Sequence, residues 1–121
     1  MSIQKVLIVD DSRVARVMLM KSLPKFGWTI EEAADGSEAL KKLQQGSFDL
    51  VFLDLTMYDM DGSEVLKRMK KLNIDVPVIV VSADFQQKMR EQVIGLGALE
   101  FASKPITSEE VEEILDREGL K

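Results

Sequence analysis

The chain has 121 residues, enough for one globular domain, of which 45% are hydrophobic and 31% are charged. It contains neither histidine nor cysteine, which excludes thiol nucleophiles, disulfides, Cys/His zinc sites and a Ser-His-Asp triad. The net charge of −5 argues against direct nucleic-acid binding, because phosphate backbones are bound through clustered basic residues and the sixteen Lys and Arg residues are scattered along the sequence.

The apolar segments indicate a protein that is not inserted in a membrane. No apolar run approaches the roughly 20 residues of a membrane-spanning helix, and the first five residues lead into a strand without a signal-peptide pattern. We therefore expect a cytoplasmic protein in which residues 1–121 form a single domain with no output domain.

Five short apolar runs alternate with segments of helical periodicity along the chain. The runs at 6–9, 50–53 and 78–81 are continuously apolar, as in central parallel strands covered by helices on both faces. The run at 29–33 alternates in polarity, which is typical of an edge strand, and a fifth run spans 99–102. The pattern predicts an α/β fold with a doubly wound, five-stranded parallel sheet and five helices.

Capping residues indicate where the helices begin. The predicted N-caps are Ser12, Ser37, Asp84 and Ser108. Pro24 is expected to kink or end the first helix, the fourth helix is expected at about 85–96, and the last at 107–120.

Polar residues follow four of the apolar runs at their carboxyl ends. Asp10 and Asp11 follow the first run, Asp54 the third, Ser82 the fourth and Lys104 the fifth. Singly, such residues are commonly turn formers, helix caps or surface lysines. Because ligands of open α/β sheets bind outside the carboxyl ends of the strands, the coincidence of all four favours one functional pocket.

Three carboxylates in one pocket need a compensating cation or a raised pKa, since two like charges about 4 Å apart repel by roughly 4 kcal/mol at an effective dielectric near 20. Mg²⁺ is the predicted cofactor, with Asp10, Asp11 and Asp54 as candidate metal ligands. Such a pocket accommodates a phosphoryl group, whose charge Lys104 and Ser82 would compensate. Without histidine or cysteine the available nucleophile is a carboxylate, and Asp54 is the predicted phosphoacceptor.

Over nearly its whole length the sequence resembles the receiver domains of two-component response regulators, in particular the single-domain, CheY-like type. The resemblance rests on Asp10-Asp11, residues 54–57, Asp61-Gly62, Ser82-Ala83 and Lys104-Pro105. It implies a flavodoxin-like (CheY-like) fold with strand order 2-1-3-4-5.

The resemblance also implies roles for individual residues. Asp54 would be the phosphoacceptor, and Asp11, Asp54 and the backbone carbonyl of Thr56 would bind Mg²⁺ directly, with Asp10 acting largely through water. Lys104 would bind a phosphoryl oxygen.

The resemblance further implies residues that change conformation on phosphorylation. Ser82 would be the hydroxyl that turns toward the phosphate, and Phe101 the aromatic ring that rotates inward as it does so. The Lys104-Pro105 bond is expected to be cis. Tyr58 stands where family members often have proline, which is expected to loosen this loop. Thr56 and Asp84 occupy positions that tune the lifetime of the acyl phosphate.

The implied partners are a sensor histidine kinase or phosphotransfer protein as donor, a downstream target protein and a possible phosphatase, with chemotaxis as one setting. The donor would meet the first helix, where Val14, Val17 and Met18 fit either a contact surface or the core. The signal would leave through the face formed by the fourth helix, fifth strand and fifth helix. The protein would catalyse its own phosphotransfer and dephosphorylation without being a turnover enzyme.

Other classes that share such a fold fit less well. A flavodoxin-like cofactor carrier needs a neutral phosphate loop where Asp10-Asp11 stands, and a phosphatase of the haloacid dehalogenase type needs a second Asp where Thr56 stands. The P-loop pattern is absent. The alternative that stays open is a receiver-like interaction module that binds its partner without phosphorylation.

Overall fold

The computed structural model describes residues 3–23, 26–83 and 86–120, and within them five strands alternate with five helices. The strands are β1 (Lys5–Val9), β2 (Thr29–Ala33), β3 (Leu50–Asp54), β4 (Val78–Ser82) and β5 (Glu100–Ser103). The helices are α1 (Arg13–Lys21), α2 (Gly36–Gln45), α3 (Gly62–Lys71), α4 (Gln87–Gly95) and α5 (Ser108–Arg117). None of these helices is long and apolar enough to span a bilayer.

All neighbouring strands are parallel, and their order is β2-β1-β3-β4-β5, which confirms the predicted fold. Strand β2 lies at an edge, as its alternating sequence predicted. The register places Asp54 opposite Val81, and Ser82 opposite Ser103. The polar ends of β3, β4 and β5 therefore lie side by side along one edge of the sheet.

Two apolar layers cover the sheet, because successive strand residues point to opposite faces. One face, which includes Leu53 and Val80, packs against buried residues of α2, α3 and α4. The other, which includes Phe52 and Ile79, packs against buried residues of α5 and partly buried residues of α1. Helices on both faces explain why β3 and β4 are buried throughout.

Helix α1 packs less deeply than the other four helices, since none of its residues is buried. Val14 is 69% exposed and Met18 is 57% exposed, so these two residues do not belong to the core, whereas Val17 is half-buried. An apolar cavity of about 320 Å³ lies between α1 and the sheet, with Leu19 and Phe52 in its wall.

The helix starts differ from the predicted ones in detail. Ser12 is the N-cap of α1 as predicted, but the N-caps of α2 and α5 are Asp35 and Thr107. The predictions of Ser37 and Ser108 are wrong because an acceptor side chain just before each of them already caps the helix. The predictions for Pro24, Asp84 and the helix start at 85 fall outside the described residues.

Candidate functional site

The carboxyl edge of the sheet gathers the predicted acidic residues at one point. Asp10 follows β1, Asp11 comes next, and Asp54 is the last residue of β3. Each offers a carboxylate oxygen, and the three oxygens lie within 4.8 Å of one another. Asp10 and Asp54 are buried, and Asp11 is half-buried. An all-oxygen donor set of this size suits a hard cation such as Mg²⁺, so these residues fit the predicted metal.

Lys104 lies against two of these carboxylates. Its ammonium nitrogen Nζ is 2.8 Å from Asp10 Oδ2 and 3.3 Å from Asp54 Oδ1. Burial alone would lower the pKa of Lys104, but its hydrogen bond to Asp10 and the charge of Asp54 outweigh burial and raise it. The predicted cis peptide bond between Lys104 and Pro105 is confirmed. The lysine therefore stays charged at neutral pH and lies beside the carboxylate of Asp54.

Asp54 has a pKa above that of an ordinary aspartate. Burial is the main cause, and the charge of Asp10 adds to it. Lys104 and a hydrogen bond from the backbone N–H of Thr56 act in the opposite direction and offset part of the increase. Ionised Asp54 is thus held at a cost in free energy, and a further cation at this point would relieve that cost.

The loop after β3 brings the start of α3 close to the backbone of Asp54. The N–H of Gly62 donates to the carbonyl oxygen of Leu55 over 2.8 Å. A Cβ atom at position 62 would lie 2.7 Å from the carbonyl oxygen of Asp54, so only glycine fits this approach. This explains the glycine of the Asp61-Gly62 pair, while Asp61 caps α3 by accepting a hydrogen bond from the N–H of Glu64.

Asp59 fastens the same loop to the N-terminus of α2, which the sequence did not predict. Its carboxylate accepts hydrogen bonds from the N–H groups of Gly36 and Ser37, from the Ser37 hydroxyl and from the N–H of Met60, over 2.8–3.0 Å. Burial would raise the pKa of Asp59, but these donors outweigh it and lower the pKa to about 2. The loop is therefore anchored on α2 immediately after the exposed Tyr58.

The two predicted switch residues are both buried. Ser82 ends β4, next to the end of β3, and its carbonyl oxygen accepts a hydrogen bond from the N–H of Lys104 over 2.8 Å. Phe101 is 3% exposed and packs in the apolar layer formed with α2, α3 and α4. The ring thus already occupies an inward position in this structure.

Charged side chains tie the neighbouring elements together, again beyond what the sequence predicted. Arg16 of α1 donates to the carbonyl oxygen of Asp10 and to the carboxylate of Glu32. On the far side, buried Glu100 of β5 accepts from Arg90 of α4 at 3.2 Å and from Arg117 of α5 at 2.8 Å. Burial would raise the pKa of Glu100, but these arginines and the N–H of Phe101 lower it. Two features of the sequence could have indicated this network. Glu100 is a single acidic residue in an otherwise apolar strand, and basic residues lie on the flanking helices.

Known proteins resemble this chain in both sequence and fold. Residues 6–116 match the response regulator receiver domain. Chemotaxis protein CheY of Bacillus subtilis is 37% identical over 93% of this chain and 95% of its own length. Sporulation initiation phosphotransferase F of the same organism is 35% identical over 94% and 92%.

Solved structures give the same result. The chemotaxis protein CheY4 of Vibrio cholerae has a TM-score of 0.83 at 33% identity, covering 96% of this chain and 98% of its own. A CheY-like receiver domain protein from Methanospirillum hungatei has a TM-score of 0.85 at 26% identity, covering 97% and 94%. Since strand order, sequence match and the acidic strand ends all agree, the chain belongs to the response regulator receiver domain family of two-component signalling.

Proposed function

We propose that this receiver domain performs the phosphoacceptor function of its family on Asp54, with Mg²⁺ as its cofactor. One observation carries the proposal: the carboxylates of Asp10, Asp11 and Asp54 lie within 4.8 Å of one another, and Lys104 is 3.3 Å from the Asp54 carboxylate. A buried nucleophilic oxygen, a cation site and a fixed ammonium are the parts that phosphoryl transfer to a carboxylate needs.

Asp10, Asp11 and Asp54 would hold the metal, with the backbone carbonyl of Thr56 as a further oxygen donor. A Mg²⁺ ion held by these residues would supply positive charge to neutralise the phosphoryl oxygens. The resemblance to receiver domains implies that Asp11 and Asp54 would contact the metal directly and that Asp10 would act largely through water. Because ionised Asp54 is disfavoured by burial, its affinity for a cation is increased.

In the transfer step an Asp54 carboxylate oxygen attacks the phosphorus atom of a donor phosphohistidine. The P–O bond of an acyl phosphate forms while the P–N bond breaks, and the bonding electron pair leaves with the imidazole nitrogen. Lys104, 3.3 Å from the Asp54 carboxylate, compensates the negative charge of the phosphoryl oxygens. Hydrolysis of the same acyl phosphate resets the domain, so the chain turns over only its own modification.

Switching follows from the added charge. Phosphorylation places up to two negative charges beside Lys104, and the hydroxyl of Ser82 turns toward them. Phe101, one strand further, then has its inward position reinforced, since the space that the hydroxyl leaves favours the buried ring. The change would be passed to a downstream target through α4, β5 and α5. A sensor histidine kinase or phosphotransfer protein would be the donor, in the cytoplasm.

The test is Mg²⁺-dependent phosphorylation by acetyl phosphate, followed by intact-protein mass spectrometry. Wild type should gain one phosphoryl group in Mg²⁺ and none in excess EDTA, and Asp54→Asn should gain none in either. Asp75→Asn is the matched control, because Asp75 is an exposed aspartate in the loop before β4, away from the carboxyl ends of the strands. Unmodified wild type with fresh donor and Mg²⁺ would overturn the proposal in favour of a phosphorylation-independent interaction module.

A further inference from the structure

Basic residues gather on one side of this acidic protein, although they are scattered along the sequence. Helices α2 and α3 together carry six basic and two acidic side chains, a net charge of +4. Since the whole chain has a net charge of −5, the rest of it carries −9. The two helices are neighbours on the same face of the sheet, and basic residues from both meet where the helices pack together.

A cleft of about 680 Å³ runs between α2 and α3. Its basic residues are Lys41 on one wall and Lys67, Arg68 and Lys71 on the other. Apolar side chains line it between these walls, namely Leu40, Met60 and Leu72. Leu72 is 45% exposed, so the cleft presents uncovered apolar surface beside these basic residues, with Glu64 as its acidic residue.

Three of these cations have no ion-pair partner among residues 3–23, 26–83 and 86–120. Arg68 pairs with Glu64 at 3.1 Å. Among the described residues, by contrast, no carboxylate oxygen lies within 4.0 Å of the ammonium of Lys41, Lys67 or Lys71. An acidic partner would therefore meet charges that are available without breaking an internal bridge.

We propose that the cleft between α2 and α3 is a docking surface for an acidic amphipathic segment of a partner protein. The lysines attract its carboxylates, and the exposed Leu72 and half-buried Met60 contact its apolar side chains, as in helix-in-groove recognition. A nucleic-acid backbone would meet the positive charge but would leave the apolar strip uncovered. This surface is separate from the face formed by α4, β5 and α5.

The cleft is also connected to the loop that follows β3. Met60 belongs to the loop after β3 and lines the cleft, and the preceding Asp59 anchors that loop on the N-terminus of α2. A segment bound in the cleft would contact the loop through Met60. Docking is therefore placed where it can influence the phosphorylation site without touching Asp54.

The experiment measures binding of a labelled peptide to the intact chain by fluorescence anisotropy at low ionic strength. The probe is a synthetic peptide with the sequence of residues 107–120, which combines acidic residues with the apolar side chains of Val111, Ile114 and Leu115. Its apolar side chains are buried in the folded protein, so the free peptide does not imitate a second copy. A peptide with every Glu and Asp replaced by Gln or Asn, and a scrambled peptide, are the controls.

The charge test compares two triple variants with equal changes in net charge. Lys41→Glu/Lys67→Glu/Lys71→Glu should weaken binding of the acidic peptide at least tenfold. The matched control reverses the exposed lysines Lys21, Lys70 and Lys88, which do not line the cleft, and should change binding less than twofold. Equal weakening by both variants would overturn the proposal, because it would show only a general charge effect.

The apolar test uses Leu72→Ser, which leaves the net charge unchanged and should weaken binding of the peptide about threefold or more. No effect of Leu72→Ser, or equal binding of the scrambled peptide, would overturn helix-in-groove docking. If a 20-base-pair DNA duplex bound more tightly than the peptide, and Leu72→Ser did not change its affinity, the surface would be assigned to nucleic acid instead. Self-association that the cleft variant abolishes would assign it to a second copy of the chain. Either result would refute the acidic-peptide proposal.

Discussion

Replacing Asp54 by Asn should have opposite effects on stability with and without magnesium. Burial and the charge of Asp10 raise the pKa of Asp54, so its ionised form destabilises the native state at any pH above its unfolded-state pKa. Asp54→Asn removes that cost and should stabilise the metal-free protein at pH 7. The gain should disappear as the pH falls below about 4, where the wild-type carboxyl is protonated in both states.

The geometry sets the size of the effect. Two unit charges no more than 4.8 Å apart repel by at least about 3.5 kcal/mol at an effective dielectric near 20. The substitution also removes one of the two carboxylates paired with Lys104, which keeps Asp10 at 2.8 Å. We therefore expect a net stabilisation of about 1 kcal/mol, or about 3–6 °C in Tm for a domain of this size. For wild type, Mg²⁺ at ten times its Kd should add about 1.4 kcal/mol, or about 4–8 °C.

The assay is thermal unfolding followed by circular dichroism, in EDTA and across a Mg²⁺ titration. Asp54→Asn should unfold at a higher temperature than wild type in EDTA and should lose most of the magnesium-dependent increase. Asp75→Asn should follow wild type in both conditions. A variant that is less stable than wild type in EDTA at pH 7, or that keeps the full magnesium effect, would refute the assignment of Asp54 as a destabilised metal ligand.

Three further substitutions test the surrounding contacts. Glu100→Gln should lower the free energy of unfolding, measured in urea at pH 7, by about 2 kcal/mol. Because the native pKa of Glu100 is lowered, this difference from wild type should shrink as the pH falls through that pKa. Asp59→Ala should lower the free energy of unfolding by about 1 kcal/mol and slow phosphorylation by acetyl phosphate. Asp59→Asn keeps an acceptor and should lower the free energy of unfolding less. Equal losses for the two variants would contradict the role of Asp59 as the hydrogen-bond acceptor for α2. Gly62→Ala should lower the free energy of unfolding by about 1–3 kcal/mol, because the added Cβ would clash with the backbone of Asp54. A Cβ at position 95 would meet no atom within 4 Å, so Gly95→Ala should leave the stability unchanged or increase it.

Most of the fold and the acidic site could be predicted from the sequence because both depend on local patterns. A strand buried on both faces must be continuously apolar, so β1, β3 and β4 were recognisable, and a polar residue directly after such a run stands out. Parallel strands bring their carboxyl ends to the same edge, so Asp10, Asp54 and Lys104 could be placed together without coordinates. Strand order came from the resemblance to a family.

The remaining contacts depend on pairings between distant parts of the chain. Asp59 accepts hydrogen bonds from the N-terminus of a helix that begins 23 residues before it, and no short-range sequence pattern links the two positions. Glu100 pairs with arginines on two different helices, which become its neighbours only after the sheet has formed. The positive cleft likewise arises because α2 and α3 pack side by side, so basic residues that are dispersed along the sequence meet in space.

Asp59 changes the expected consequence of Tyr58, the residue that stands where the family often has proline. A proline orders a loop by limiting the conformations of the unfolded chain, and that restriction is absent here. Four hydrogen bonds to Asp59 order the same loop in the native state instead, so the loop is held by contact with α2. Its order therefore depends on where α2 lies, which proline would not require. A partner bound between α2 and α3 would act on that contact, and Thr56, five residues before Asp61, would be repositioned with the loop.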